Sequence, residues 1–243
     1  LYGFETLRDD LLRKGHRFRT RIDTEVVVHL YEEHGRDCLR HLRGEFALVL
    51  WDARARRLLA ARDRFGVRPL CWALSDGELL VASEAKALFA LGVAPAWDHA
   101  SFFQAASVQY HAPDRTLFQG VRQLPPGHFL VAHPEDVDEG RVDVRPYWDL
   151  DLPGIGASRE EPADAPGLVL DALDEAVRIR LRADVPIACQ LSGGLDSSAV
   201  AALAARHLPH PPACFALGFE EAAYDELAAA EEVARHLGCP LHA

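Results

Sequence analysis

Leu191-Ser192-Gly193-Gly194-Leu195-Asp196-Ser197-Ser198 joins a short apolar run, Pro186 to Leu191, to an alanine-rich stretch, Ser197 to Leu208. The run reads as a strand and the stretch as a helix. Two adjacent glycines remove side-chain bulk from the joint, so backbone N–H groups can close around an anion. The start of the following helix adds unpaired N–H donors and the positive end of its dipole. Ser192, Ser197 and Ser198 add hydroxyls. Asp196 is the odd member, because a carboxylate beside a phosphate repels it. Its presence makes sense if it holds Mg²⁺, which bridges to the phosphates. The alternative is an ordinary strand–helix turn of glycine, serine and aspartate. The GK[ST] ending of a Walker loop is absent.

Outward from this loop, a second strand is expected over Ala213 to Phe219. A second helix is expected over Ala222 to Leu237, closed by Gly238, and a preceding one over Leu168 to Leu181. Strand and helix alternating at this pace imply a parallel α/β sheet. Proline, glycine and acidic residues between positions 153 and 167 suit a linker. The part before it, 1–152, reads differently. Thr24 to Glu33 has helical spacing. Phe46 to Trp51 and Arg57 to Ala61 read as strands around the polar break at 52–56. Leu79 to Ala82 follows the turn Ser75-Asp76-Gly77-Glu78, and Ser83 to Leu91 reads as a helix capped by Ser83 and ended by Gly92. Ala94 to Gly167 is proline-rich and reads as loop. The fold class is therefore an α+β N-terminal domain of antiparallel sheets with helices, followed by the start of an α/β parallel-sheet domain over 168–243.

The net charge of −11 argues against a nucleic-acid binder or an anionic membrane partner. The longest apolar run, Ala199 to Ala205, is far short of a membrane helix. The five cysteines are odd in number and dispersed, with no CxxC pair, which suits reduced thiols in a cytoplasmic protein. The twelve histidines show no HxxxH or HExxH spacing, so none is expected to ligate a metal. The chain has no methionine and no leader pattern, so it is expected to be an internal piece of a longer protein.

The 191–198 string resembles the pyrophosphate-binding loop of the N-type ATP pyrophosphatases. Asp184-Val185-Pro186, the Phe215 to Phe219 segment and Tyr224-Asp225-Glu226 are similar to their companions in the synthetase domain of glutamine-hydrolysing asparagine synthetases. The first part resembles the class II glutamine amidotransferase domain of the same family. Arg43-Gly44-Glu45-Phe46-Ala47, the Arg62 to Leu70 segment, Ala82 to Leu88, Leu124 to His128 and Tyr147-Trp148-Asp149 carry that likeness, with Cys71 where the family has Tyr.

The resemblance implies ATP and Mg²⁺ as cofactors and glutamine, aspartate and ATP as substrates. The implied reaction passes through β-aspartyl-AMP, possible homodimers are implied as well, and neither nucleic acid nor membrane is a partner. It places ATP on Leu191, Ser192, Gly193, Gly194, Asp196, Ser197, Ser198 and Leu217, with Asp196 also on the metal. Thr20 to Val26 resembles the segment whose Asp binds the α-amino group of glutamine, which selects Asp23; Ile22 stands where the family has Ser. Asp23 could equally cap the helix from Thr24. Arg62 and Asp63 are expected to form an ion pair shaping the loop before Gly66. No cysteine here matches the family's N-terminal nucleophile, so the chain alone is expected to catalyse neither half-reaction. A β-lactam synthetase-type ligase without glutaminase activity, and a non-catalytic gene remnant, remain the competing readings.

Overall fold

The computed structural model describes residues 1–152, 154, 162–221 and 223–243. The chain divides into two compact units, Leu1–Leu152 and Pro153–Ala243.

The first unit is built in layers whose order follows from side-chain alternation. Helices α1 (Phe4–Arg13) and α2 (Asp23–His34) are followed by a 3-10 turn, Gly35–His41. Strands β1 (Ala47–Asp52) and β2 (Arg57–Arg62) form a hairpin. Then come β3 (Cys71–Ser75), β4 (Glu78–Ala82), helices α3 (Ala85–Ala90) and α4 (His99–Val108), β5 (Arg122–Gln123), β6 (His128–Ala132), helix α5 (Pro134–Asp138) and β7 (Asp143–Pro146). One antiparallel sheet has the order β1-β2-β6-β7 and the other β4-β3-β5. Leu59, Ala61 and Phe129 on one face of the first sheet pack with Leu11, Val26 and Leu30 of α1 and α2. Ala60, Leu130 and Ala132, one residue out of step, pack with Trp72, Leu79 and Val81 of the second sheet. That sheet's far face sets Cys71 and Ala73 against Leu88 of α3. The period of two along each strand thus produces helix, sheet, sheet and helix layers. Each fully buried leucine in these layers contributes roughly 1.5–3 kcal/mol.

The hairpins obey local chemistry. Asp52 Oδ1 accepts from Arg54 N and Ala55 N, both at 3.0 Å, and folds the break between β1 and β2. Asp76 and Gly77, both at positive φ, make the two-residue turn of β3–β4.

Three expectations change. Ser83 does not cap α3; the cap position is Glu84, without a side-chain bond. Asp23 is not the cap of α2 but its first residue, after Ile22. The proline-rich middle contains α4, whose N-cap Asp98 accepts from Ser101 N at 3.1 Å, and β6, which sits inside the first sheet.

The second unit contains α6 (Ala165–Arg180), β8 (Ala188–Gln190), α7 (Leu195–His207), β9 (Ala213–Phe215), α8 (Leu227–Leu237) and β10 (Leu241–His242). The strands form a parallel sheet in the order β10-β9-β8, as expected. Helix α6 starts at Ala165, three residues early, because Asp164 caps it by accepting from Gly167 N. Of the expected linker, residues 153 and 155–161 lie outside the described residues. Ala222, the expected start of the last helix, lies outside them too, and α8 begins at Leu227. Its start is set by Asp225 Oδ1, which accepts from Leu227 N at 3.2 Å. All five cysteines are unpaired. Among the described residues no helix is long and apolar enough to cross a membrane.

Candidate functional site

Each unit carries one candidate site. In the second unit, residues 191–198 run from the C-terminal end of β8 into the first turn of α7, where open parallel sheets bind ligands. Leu191 is buried, and its N–H donates to Phe215 O at 2.8 Å, which ties the loop to β9. Ser192 Oγ meets Ser197 Oγ at 3.0 Å, and Ser197 Oγ donates to Gly194 O at 3.2 Å. Ser192 N donates to Ser197 Oγ at 3.2 Å and Gly194 N to Ser192 Oγ at 3.3 Å. The two hydroxyl protons are thus spent inside the loop, and here these serines brace it instead of presenting free donors. The third hydroxyl differs: Ser198 Oγ is buried without a partner.

Gly193 has a second reason to be glycine. Its φ is +79°, and a Cβ there would lie 2.6 Å from the Ala229 carbonyl carbon and Cβ of α8. The first-turn amides of Leu195, Asp196 and Ser197 have no intrahelical acceptor, while Ser198 N donates to Gly194 O at 3.1 Å. The Asp196 carboxylate is exposed, with neither a hydrogen bond nor an ion pair among the described residues. The donor set, a free carboxylate beside open amides and an orphaned hydroxyl, fits a cation held against phosphate oxygens. Leu217 lies past the end of β9 and is 66% exposed, so it is not a core residue. Phe215 and Phe219 flank it, also exposed.

In the first unit, Asp23 lines a cleft of about 500 Å³ with Thr24, Glu45, Arg68 and Ser83. Its Oδ2 lies 2.5 Å from the main-chain nitrogen of Leu1. Glu45 accepts from Tyr2 Oη at 2.9 Å and faces Arg68 Nη2 at 4.0 Å. Glu45, Arg68 and Ser83 lay inside the motif strings, but only the fold brings them to the cleft of Asp23.

The loop behind this cleft is fixed by Arg62 and Asp63, both buried. Arg62 donates from Nε to Arg68 O, from Nη1 to Leu124 O and from Nη2 to Gly66 O, at 2.8, 2.9 and 2.7 Å. Asp63 Oδ1 accepts from Phe65 N and Val67 N, and Oδ2 from Arg68 N, at 3.1, 3.0 and 2.9 Å. The role is structural, as expected, but each side chain spends its polar atoms on loop backbone rather than on the other. Burial holds the Arg62 guanidinium below its ordinary range, with Asp63 opposing that. Tyr147 Oη donates to Arg62 O at 2.9 Å and closes the node; burial, then the Asp63 charge, push its phenol up.

A family model described as a glutamine amidotransferase domain matches residues 1–148, and one described as asparagine synthase matches residues 168–243. The chain is 39% identical over its whole length to Amidase chyE of Penicillium rubens, of which it spans 37%. It is 35% identical to asparagine synthetase [glutamine-hydrolyzing] 3 of Bacillus subtilis, over 85% of this chain and 33% of that protein. Asparagine synthetase [glutamine-hydrolyzing] 2 of Arabidopsis thaliana is 36% identical over the whole chain and 37% of its own length. The chain thus spans little more than a third of these relatives. With an amidotransferase domain matched first and an asparagine synthase segment after it, in the order of the two folded units, the chain belongs to the asparagine synthetase family.

Proposed function

We propose that the protein containing this chain makes asparagine from aspartate, with ammonia taken from glutamine and the aspartate carboxylate activated by ATP. The observation that carries this reading is the 191–198 loop: three first-turn amides without intrahelical acceptors and, among the described residues, an unpartnered Asp196 carboxylate and a buried unpartnered Ser198 hydroxyl, at the ends of parallel strands. Backbone amides at a helix start can stabilise an anion without reorganising. Asp196 would hold Mg²⁺, which when bound offsets the charge of the departing pyrophosphate. Ser192, Gly193, Gly194, Ser197 and Ser198 would surround the phosphates, and the backbone at Leu191 and Leu217 would meet the adenosine. Asp23 would pair with the glutamine α-ammonium, a charge-assisted bond. Arg68 on the same cleft offers a cation for the α-carboxylate.

The test is product analysis of the full-length protein with ATP, glutamine and aspartate. AMP, pyrophosphate, glutamate and asparagine are expected. Asp196→Ala should abolish AMP formation while sparing glutamine hydrolysis, and Asp23→Ala should raise the KM for glutamine. AMP formation by Asp196→Ala removes Asp196 from the mechanism. The amidase-named relatives, at 39% and 38% identity, favour a second reading in which another carboxylic acid accepts the ammonia. Glutamine- and ATP-dependent turnover that ignores aspartate would select it.

A further inference from the structure

The histidines have no metal-binding spacing along the chain, yet the packing of α1 against α2 brings two of them together with a glutamate. His16 lies just after α1, and His29 and Glu32 lie one turn apart on α2. His16 Nδ1 is 3.1 Å from His29 Nδ1. Glu32 Oε2 is 3.1 Å from His29 Nδ1 and 3.5 Å from His16 Nδ1. On an ion bound tetrahedrally at about 2.05 Å, neighbouring ligand atoms are separated by about 3.3 Å. The triangle found here has nearly those edges.

Proton counting points the same way. His16 Nε2 lies 3.0 Å from Glu33 Oε1, so the ring proton belongs on Nε2 and the Nδ1 lone pair faces inward. His29 Nδ1 then has one proton at most for two acceptors, His16 Nδ1 and Glu32 Oε2. If that proton sits instead on Nε2, on the side of Glu25 Oε1 at 3.8 Å, the three atoms face one another with no proton between them. A cation in the triangle satisfies all three.

The surroundings are those of an oriented ligand set. His16 turns its outer nitrogen to Glu33 within hydrogen-bond distance, the arrangement that fixes ring orientation and raises ligand basicity, and His29 Nε2 lies 3.8 Å from Glu25 Oε1. Both carboxylates are themselves held. Glu25 accepts from Arg19 N and Thr20 N at 2.7 Å, and Glu33 accepts from Lys14 Nζ at 2.9 Å. The imidazole side chains are 13% and 14% exposed, against 58% for Glu32, so an ion reaches the nitrogens from the glutamate side. The Phe18 ring packs against His29, with ring centroids 4.3 Å apart.

We propose that His16 Nδ1, His29 Nδ1 and Glu32 Oε2 bind one zinc-class divalent ion, with water in the fourth position. Two imidazoles and one carboxylate in a tetrahedral face select Zn²⁺ over Mg²⁺ and Ca²⁺, which prefer larger all-oxygen shells. The ion ties the segment after α1 to α2, on the opposite face of α2's sheet partner from the β3–β4 layer.

The full-length protein, prepared without a polyhistidine tag, tests this by competition of Zn²⁺ against a chromophoric chelator. Co²⁺ serves as a second probe, through the intense visible bands of four-coordinate geometry. One Zn²⁺ per chain is expected, with no competition from Mg²⁺ or Ca²⁺. His16→Ala and His29→Ala should each lose stoichiometric binding and the Co²⁺ bands. Glu33→Gln, which leaves every ligand in place, should weaken binding by about 10–100-fold. Glu32→Gln, on an exposed side chain, serves where a histidine variant does not fold, and should also lose the four-coordinate spectrum. His210→Ala should change nothing. A wild-type chain that takes up less than one Zn²⁺, or variants at positions 16, 29 and 32 that all keep it, would overturn the proposal.

Discussion

Asp63→Ala is the sharpest test of how the amidotransferase unit is held together. Asp63 is 1% exposed and accepts from the amides of Phe65, Val67 and Arg68. Its removal strips three buried N–H groups of their acceptor. It also takes the anion from beside the Arg62 guanidinium, which is 7% exposed. Breaking a buried charged arrangement from one side costs about 3–5 kcal/mol. Against a typical domain stability of about 5–15 kcal/mol, that is a large fraction. Asp63→Asn keeps one carbonyl oxygen for Phe65 and Val67 but turns an N–H₂ towards Arg68 N, and should cost about 1–3 kcal/mol. All four tryptophans, Trp51, Trp72, Trp97 and Trp148, lie in the first unit, so tryptophan fluorescence in urea follows that unit alone. With an m-value of roughly 1–3 kcal/mol/M, a cost of about 3–5 kcal/mol should lower the Asp63→Ala midpoint by about 1–5 M. A midpoint within about 0.3 M of wild type would refute the structural role assigned to the carboxylate.

Gly193→Ala should destabilise the second unit by at least about 1–3 kcal/mol from the left-handed backbone alone, before the collision with Ala229, read as a lowered thermal transition by far-UV circular dichroism. Backbone hydrogen bonds from Arg19, then the Thr20 hydroxyl, lower the Glu25 carboxyl to about 2. In the unfolded chain a glutamate titrates near about 4.3, so this contribution is complete above that pH and is lost as pH falls towards 2. The tryptophan-detected urea midpoint should therefore drop between about pH 5 and pH 2, and less steeply in Glu25→Gln than in wild type; an unchanged slope would remove Glu25 from the linkage. Burial pushes the Cys38 thiol up to about 12, so iodoacetamide should label Cys38 only after denaturation, with the half-buried Cys189 reacting first; native labelling of Cys38 would contradict the packing of its cluster.

Legibility in the sequence followed the range of the interactions. The strand–loop–helix at 186–208 was readable because its glycines, serines and apolar run are contiguous, and the Asp76-Gly77 turn because two residues set it. Helix α1 leaves little apolar pattern in the sequence because only Phe4 and Leu11 are buried among its charged residues. Helix α4 was hidden by the prolines around it, although Asp98 ahead of Ser101 is a capping signal. Strand β6 reads as loop because Pro125-Pro126-Gly127 precedes it, yet that turn delivers it to the middle of the sheet. Site residues followed the same rule. Asp23 and Asp196 stand inside local strings. Arg68 and Ser83, which share the cleft with Asp23, and His16, which meets His29, are brought there by packing between elements distant in the chain.

The closeness of Gly193 to Ala229 makes α8 a lever on the loop. A larger side chain at position 229 would press on the turn from behind, shifting where its amides point without touching any ligand. With the loop in the proposed ATP-binding role, substitutions in α8 should register as altered ATP affinity. Variation at 193 and 229 should accordingly be read as that of one packed pair.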